Sequence, residues 1–379
     1  MQPKAMLFDP WRHGEHSVGC LASWTRQWPQ TGGQMNNHGI ESLKGLRTLI
    51  AAPPPMMSKR LQQTIDEHCL TIIERSTACA LGYLDPALDI QYFNLSEAGV
   101  LRAEGRDIHL TWPSDRCVPA LLEQATAHAC SLLFIMPGIG FALRANGHCS
   151  VRRDTAGTRL EFRVDALFLH CSRAKVRAGF WEPRPPLAAP GVGAEGTGEL
   201  CDAAQAFIAA SPYLLMLTSN GTGATEISPR GDPDGFVRVR DRRTLLIPER
   251  PGNKVACSLS NILSADAVTL SFLIPGSRIA LSVVGRAQLT ADPERLRLLA
   301  INGKLPVVAT VLLVERYRFV SCSELVEAGL WRKETHISEG DMPSFAKMLS
   351  EHMNGKGLLG KATTLVVDAV VRHDLKNLY

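Results

Sequence analysis

The sequence predicts a mainly β fold with some helix (α+β), in which one β-rich unit occurs twice. Two observations carry this. Short apolar or alternating segments recur at close spacing between turn signals, as in sandwiches and barrels. The chain also repeats itself. Phe134-Ile-Met-Pro-Gly-Ile-Gly-Phe-Ala-Leu-Arg-Ala-Asn-Gly147 aligns without gaps on Phe272-Leu-Ile-Pro-Gly-Ser-Arg-Ile-Ala-Leu-Ser-Val-Val-Gly285. A second echo follows in the same order: Cys171-Ser172 and Ala178-Gly-Phe-Trp181 against Cys322-Ser323 and Ala328-Gly-Leu-Trp331. Ordered Pro, Gly and Trp anchors of this kind mark an internal duplication.

The second copy reads as a series of strands. Tyr213–Thr218 is apolar, and Asn220-Gly221 is a hairpin turn signal. Phe236–Arg240 alternates with period two, and Arg243–Ile247 is a further strand. Lys254–Ile262 has helical spacing. Ala267–Phe272, Ile279–Leu289 and Val307–Val314 continue the sheet. The first copy follows the same order, with strands near Ala78–Tyr83, Ile108–Trp112, Ser131–Met136 and Phe141–Val151. The implied organisation is an N-terminal extension over 1–60, a first repeat over 61–182, a Pro/Gly-rich linker over 183–200, a second repeat over 201–335 and a C-terminal extension over 336–379. The extension is read as an amphipathic helix at Met342–Met353 and a strand over the β-branched run Thr363–Val371.

Composition narrows the function classes. The chain has 379 residues, 45% of them hydrophobic, and a net charge of +4. That is enough apolar material for two ordinary cores and too weak a basic field for a nucleic-acid binder. The cluster Arg238, Arg240, Arg242 and Arg243 reads as a solvated strand and turn. No apolar run is long enough to cross a bilayer, and Met1–Trp24 lacks a signal-peptide pattern. A cytoplasmic protein is therefore expected, with its ten cysteines reduced and mostly buried. No metal is expected. His13 and His16 have no third ligand at a suitable interval, and in His128/Cys130, His148/Cys149 and His170/Cys171 burial explains the residues better than chelation. Gly191, Gly193 and Gly196 satisfy a dinucleotide-binding pattern, but they follow a proline run instead of a strand, so the match is rejected.

One constellation remains. Ser228-Pro-Arg-Gly-Asp232 ends one strand; Pro248-Glu-Arg-Pro-Gly-Asn-Lys254 ends another and opens a helix. If those two strands pair, Arg230, Arg250 and Lys254 converge. Gly252 allows close backbone approach, and the helix start adds exposed N–H groups. Three cations there suit a phosphate or another anion.

The runs Ile227–Val239, Arg243–Lys254 and Ser258-Leu-Ser-Asn-Ile262, followed by Phe272–Gly276 and Ala328–Trp331, resemble a probable-FMN-dependent branch of the pyridoxamine 5'-phosphate oxidase-like split barrels. The resemblance covers about Ala206 to Trp331. It implies a split β-barrel that pairs as a dimer with FMN at the interface; with the duplication, the expectation is two tandem FMN-binding split β-barrels forming an intramolecular pseudo-dimer. It implies FMN as cofactor, with Arg230, Arg250, Asn253 and Lys254 on its phosphate and ribityl chain. The neighbouring Gly252 and Ser258 join that loop, and the backbone at Ile247 and Pro248 would line the ring. Trp331 would lie near the partner site, though a tryptophan there also reads as core. Asp232 would orient Arg230 through a salt bridge. The implied activity is an FMN-dependent oxidoreductase acting on a small molecule, with NAD(P)H a candidate partner. The other reading is a flavin- or haem-binding protein without turnover. Further pairing of chains into a homodimer stays open.

The first copy departs from the motif. Phe93-Asn-Leu-Ser-Glu97 stands where Ser-Pro-Arg-Gly-Asp is expected, and Pro113–Pro119 replaces the second loop, retaining only Arg116. One phosphate site per chain is therefore expected, with the first copy as its opposite wall.

Overall fold

The computed structural model describes residues 38–53, 55–84, 87–97, 100–112, 127–155, 157–376 and 378–379. His13, His16 and the Pro113–Pro119 segment lie outside them.

The first half runs from β1 (Gly39–Ile40) and α1 (Leu43–Leu49) through α2 (Glu67–Arg75), β2 (Ala78–Leu84), β3 (Leu88–Asn94), β4 (Val100–Glu104), β5 (Asp107–Trp112), β6 (His128–Ile135), β7 (Ala142–Asp154) and β8 (Gly157–His170) to α3 (Arg173–Ala178). The second half holds β9 (Glu195–Thr197), α4 (Asp202–Ala210), β10 (Tyr213–Ser219), β11 (Thr225–Gly231), β12 (Arg238–Asp241), β13 (Thr244–Pro248), α5 (Cys257–Ser264), β14 (Ala267–Leu273), β15 (Ile279–Thr290), α6 (Pro293–Arg297), β16 (Ala309–Ser321) and α7 (Ser323–Glu327). Two further helices follow, α8 (Phe345–Asn354) and α9 (Leu358–Lys376). None of the described helices is long and apolar enough to cross a membrane.

The strands form two antiparallel sheets, and among the described residues neither closes into a barrel. One runs β3-β2-β6-β7-β8-β5-β4, the other β11-β10-β14-β15-β16-β13-β12, with β1 and β9 added to the latter. Numbered within each half, the two orders are identical. They also share an irregularity. The β7/β8 register slips between Asn146 and Gly147, and the β15/β16 register slips between Val284 and Gly285. These glycines close the two aligned repeats. A Cβ on Gly147 would lie 1.9 Å from the Arg163 carbonyl oxygen, and one on Gly285 would lie 2.1 Å from that of Leu313. The bulge needs this close backbone approach, which only glycine permits. Gly147→Ala and Gly285→Ala are each expected to cost about 1–3 kcal/mol or more by forced backbone shift. Gly191→Ala, with open space at its Cβ, is the neutral control. Urea midpoints of the three variants check this.

Burial explains the unbroken apolar runs. In β2, Cys79 and Leu81 enter the core of the first half, while Ala78 and Ala80 face the other sheet. In β10, Leu214 and Met216 enter the core of the second half, while Tyr213, Leu215 and Leu217 face the first. Strands buried on both faces read as continuous hydrophobic segments. The contacts between halves are reciprocal: α3 meets β11 as α7 meets β3, β6 meets β11 as β14 meets β3, and β2 meets β11 as β10 meets β3. Tyr92 and Ser271 hydroxyls join across this layer at 2.6 Å. The flanks are woven in: β1 extends the second sheet, and Leu46 of α1 sits in the second core.

The expected strand at Thr363–Val371 is corrected. That run lies within α9, which packs on α8. Packing against a neighbouring helix overrides its β-branched content. Phe236–Arg240 also shortens, because Phe236 and Val237 are buried in the turn before β12.

Candidate functional site

A cavity of about 430 Å³ opens between the halves. The second half contributes the end of β11, the loop after β13 and the start of α5; the first contributes the ends of β7 and β8 and one face of α3. Of the residues singled out in the sequence, Arg230, Asp232, Pro248, Arg250, Gly252, Asn253, Lys254 and Ser258 line it. Ile247 and Trp331 do not. Ile247 points the other way along β13 into the second core. Trp331 is buried in the layer between the sheets and donates its indole N–H to the Phe180 carbonyl at 2.8 Å.

Two expected contacts are corrected. β11 and β13 do not pair; β11 is bonded to β10, and β13 lies between β12 and β16. Curling of the sheet brings their ends together, and two crossed ion pairs join them. Arg230 pairs with Glu249 at 2.9 Å and also donates to Ser258 Oγ at 3.1 Å. Asp232 pairs with Arg250 at 2.5 Å, not with Arg230. It lies past the end of β11, anchored by its N–H to the Pro212 carbonyl, and so reaches the opposite loop.

The loop over 250–256 is held open from outside. Arg173 and Arg177 of α3 both donate to the Pro251 carbonyl, at 3.0 and 2.9 Å. Arg47 donates to the carbonyls of Lys254 and Val255, at 2.8 and 2.9 Å. Lys254 and Ala256 take left-handed backbone, with φ of 63° and 59°. Such conformations carry a cost for non-glycine residues and gather at ligand sites. They explain why α5 starts at Cys257 and not at Lys254. Ala256, its N-cap residue, supplies no side-chain bond to the first turn. The free N–H groups of that turn and the positive end of the helix therefore favour an anion.

Inward of this loop lies a buried polar group. Arg144 of β7 is ion-paired with Glu226 and donates to the Ile227 carbonyl at 3.2 Å, with its guanidinium over the Phe168 ring. Asn261 supports Glu226 at 3.1 Å. His170 lines the cavity beside it, and burial, reinforced by Arg144 and Arg60, pushes the imidazole pKa well down. Burial next to Glu226 pushes the Cys257 thiol up. At the rim the Tyr379 ring lies against the guanidinium groups of Arg177 and Arg250, at 5.6 and 5.7 Å. Burial and the Asp232 carboxylate push its phenol up to about 12.

Sequence reasoning missed the first-half residues Arg144, His170, Arg173 and Arg177. A signal was present: the gapless repeat sets Arg144 against Ser282.

The strand registers also revise the comparison of the two halves. Ile135 and Leu273 are matched in the repeat, and they pair with Ala78 and Tyr213. Ala78 pairs with Asn94, and Tyr213 with Gly231. Phe93 therefore stands where the second half has Arg230, two residues from the position expected from sequence. The same reasoning through β8 and β16 puts Thr111 opposite Pro248, and so Trp112 opposite Glu249. Phe93 and Trp112 are stacked at 5.1 Å. The ion pair of one half is an apolar stack in the other.

Away from the cavity, Asp66, Cys69 and His352 have potential metal-donor atoms within 4.8 Å of one another. Those atoms already have work. Asp66 caps α2 through the Cys69 N–H at 2.8 Å and pairs with His352 at 2.8 Å, which clamps α8 to α2.

No protein-family model and no curated protein matches the chain. Among solved structures it is similar to HupZ of Group A Streptococcus, with 16% identity, a TM-score of 0.27, and coverage of 32% of this chain and 98% of that one. It is similar to an F420 reductase at 15% identity and a TM-score of 0.23, covering 32% and 98%. A third similar structure is a Clostridium acetobutylicum protein related to general stress protein 26, of the pyridoxinephosphate oxidase family, at 14% identity and a TM-score of 0.22, covering 32% and 92%.

Proposed function

We propose that the cavity binds FMN and that the protein is an FMN-dependent oxidoreductase acting on a small molecule, with NAD(P)H as a candidate electron donor. The observation that carries this reading is the start of α5. An uncapped helix end, two left-handed residues and the Arg230–Ser258 pair meet in one cavity beside Lys254. Those residues, with Arg250 and Asn253, would hold the phosphate and ribityl chain. When bound, FMN supplies hydride or electron transfer; the protein's part is to bind, orient and shield it. Arg173, Arg177 and Arg47 serve by fixing the loop through its carbonyls.

Two tandem split barrels from an internal duplication, docked as a pseudo-dimer, are part of the same proposal. Identical strand orders, the shared glycine bulge and the reciprocal contacts support it. The Phe93–Trp112 stack favours one FMN per chain. Saturation with FMN followed by gel filtration should give a flavin:chain ratio of one. A ratio of two would defeat the asymmetry, and no uptake at all would defeat the cofactor reading. A haem-type spectrum in the purified protein would replace FMN by haem, and a flavin not bleached by NADH or NADPH would point to a carrier.

A further inference from the structure

The phosphate motif accounts for the outer end of the cavity; the inner end has different chemistry, and its arginine and histidine come from the first half. Arg144 is nearly fully buried, with 2% of its side chain exposed. Its terminal nitrogens are used by Glu226 and Ile227, but its Nε–H has no partner. The Nε2 of His170 is also buried without a partner. Both residues line the cavity. A buried polar atom left unpaired costs about 1–3 kcal/mol, so two of them on side chains that line one ligand-sized cavity point to a ligand edge.

The comparison of halves sharpens this. The aligned repeat puts Ser282 where Arg144 stands. The pairs Ala142↔His170 and Ala280↔Val320 put Val320 where His170 stands. Val320 lines a smaller cavity between the halves, together with Tyr92 and Asp89 of β3. At these two matched positions the arginine and histidine stand on the wall facing the Arg230 site, and the second half has serine and valine. Folding does not require either at that position, since the second half builds the same strands with serine and valine.

We infer that Arg144 and His170 recognise the ring end of the ligand, through an edge that alternates a hydrogen-bond acceptor with an N–H or second acceptor. A cyclic imide, such as the pyrimidine-dione edge of a flavin, has this chemistry: its carbonyl accepts from Arg144 Nε–H, and its imide N–H donates to the lone pair of neutral His170 Nε2. The inference rests on the FMN reading and deepens it. The half without a phosphate motif selects the ring.

The test compares FMN with riboflavin by fluorescence titration of the full chain. His170→Val installs the residue used at the equivalent position, and Arg144→Met with Glu226→Gln removes the ion pair without leaving a lone buried charge. Each should weaken FMN and riboflavin alike, by about tenfold for one lost hydrogen bond. Riboflavin methylated at the imide nitrogen should bind the wild type about tenfold more weakly than riboflavin, and His170→Val should not discriminate between the two. Should the double variant fail to fold, His170→Val and the methylated ligand decide alone. Unchanged affinities, or a loss confined to FMN, overturn the inference while leaving the FMN site intact. A wild type that binds neither flavin overturns the FMN reading and this inference together.

Discussion

Arg250→Ala is expected to destabilise the protein by about 3–5 kcal/mol. The reason lies in its partner. Asp232 is fully buried and Arg250 is 8% exposed, so removing the guanidinium strands a carboxylate in the interior. Breaking a buried pair from one side costs about that much. Arg250 also donates to the Leu299 carbonyl at 2.9 Å, which ties the loop after α6 to the site. The pair itself is a weak source of stability, because both charges lost their water to form it. Arg250→Met combined with Asp232→Leu should therefore recover most of the loss. Urea midpoints of wild type, Arg250→Ala and the double variant are the measurement. A double variant as unstable as Arg250→Ala would mean that the bond to Leu299, and not the orphaned carboxylate, governs the effect. Reading Asp232 as a support for Arg230 predicts something else: Arg250→Ala would then be mild.

How much of this was legible in the sequence follows from what local pattern can encode. The strands announced themselves because β2 and β10 are buried on both faces and so are apolar throughout. The bulge glycines were visible as the shared last letter of a repeat. The loop after β13 was legible because its residues are close in sequence and its backbone demands are local. The pairing of its charges was not. Arg230 and Asp232 are two residues apart at the end of β11, yet each finds its partner across a gap that the curl of the sheet closes. The inner wall was hidden for a related reason. Arg144 and His170 belong to the half that lacks the motif, and nothing near them in sequence states that they face Arg230. The α9 segment shows the opposite failure. Its β-branched residues gave a clear local signal, and packing against α8 overrode it. The first-half position matching Arg230 was misplaced by two residues because sequence could not supply the β2/β3 register.

That register frames the sharpest test of the cofactor reading. Arg230→Ala is expected to lower FMN affinity by at least tenfold while riboflavin affinity barely moves. A charge-assisted bond to phosphate is worth about 1.5–3 kcal/mol, which is roughly one to two decades in Kd. Two features push the loss toward the upper end. Without Arg230, Glu249 loses its 2.9 Å partner and leaves a carboxylate near an incoming dianion. Ser258 also loses the guanidinium bonded to its hydroxyl, so its position at the first turn of α5 is less fixed. Arg230→Lys should fall between, since lysine keeps the charge but cannot serve Glu249, Ser258 and a phosphate from one planar fork. The first half provides a design for a clean loss. Arg230→Phe with Glu249→Trp copies the Phe93–Trp112 stack into the equivalent positions. That variant should fold, keep riboflavin and lose the preference for FMN, because an apolar stack leaves no unpaired charge behind. Equal losses for FMN and riboflavin in Arg230→Ala would show that Arg230 shapes the cavity without meeting a phosphate, and the anion site would then have to be sought away from the start of α5.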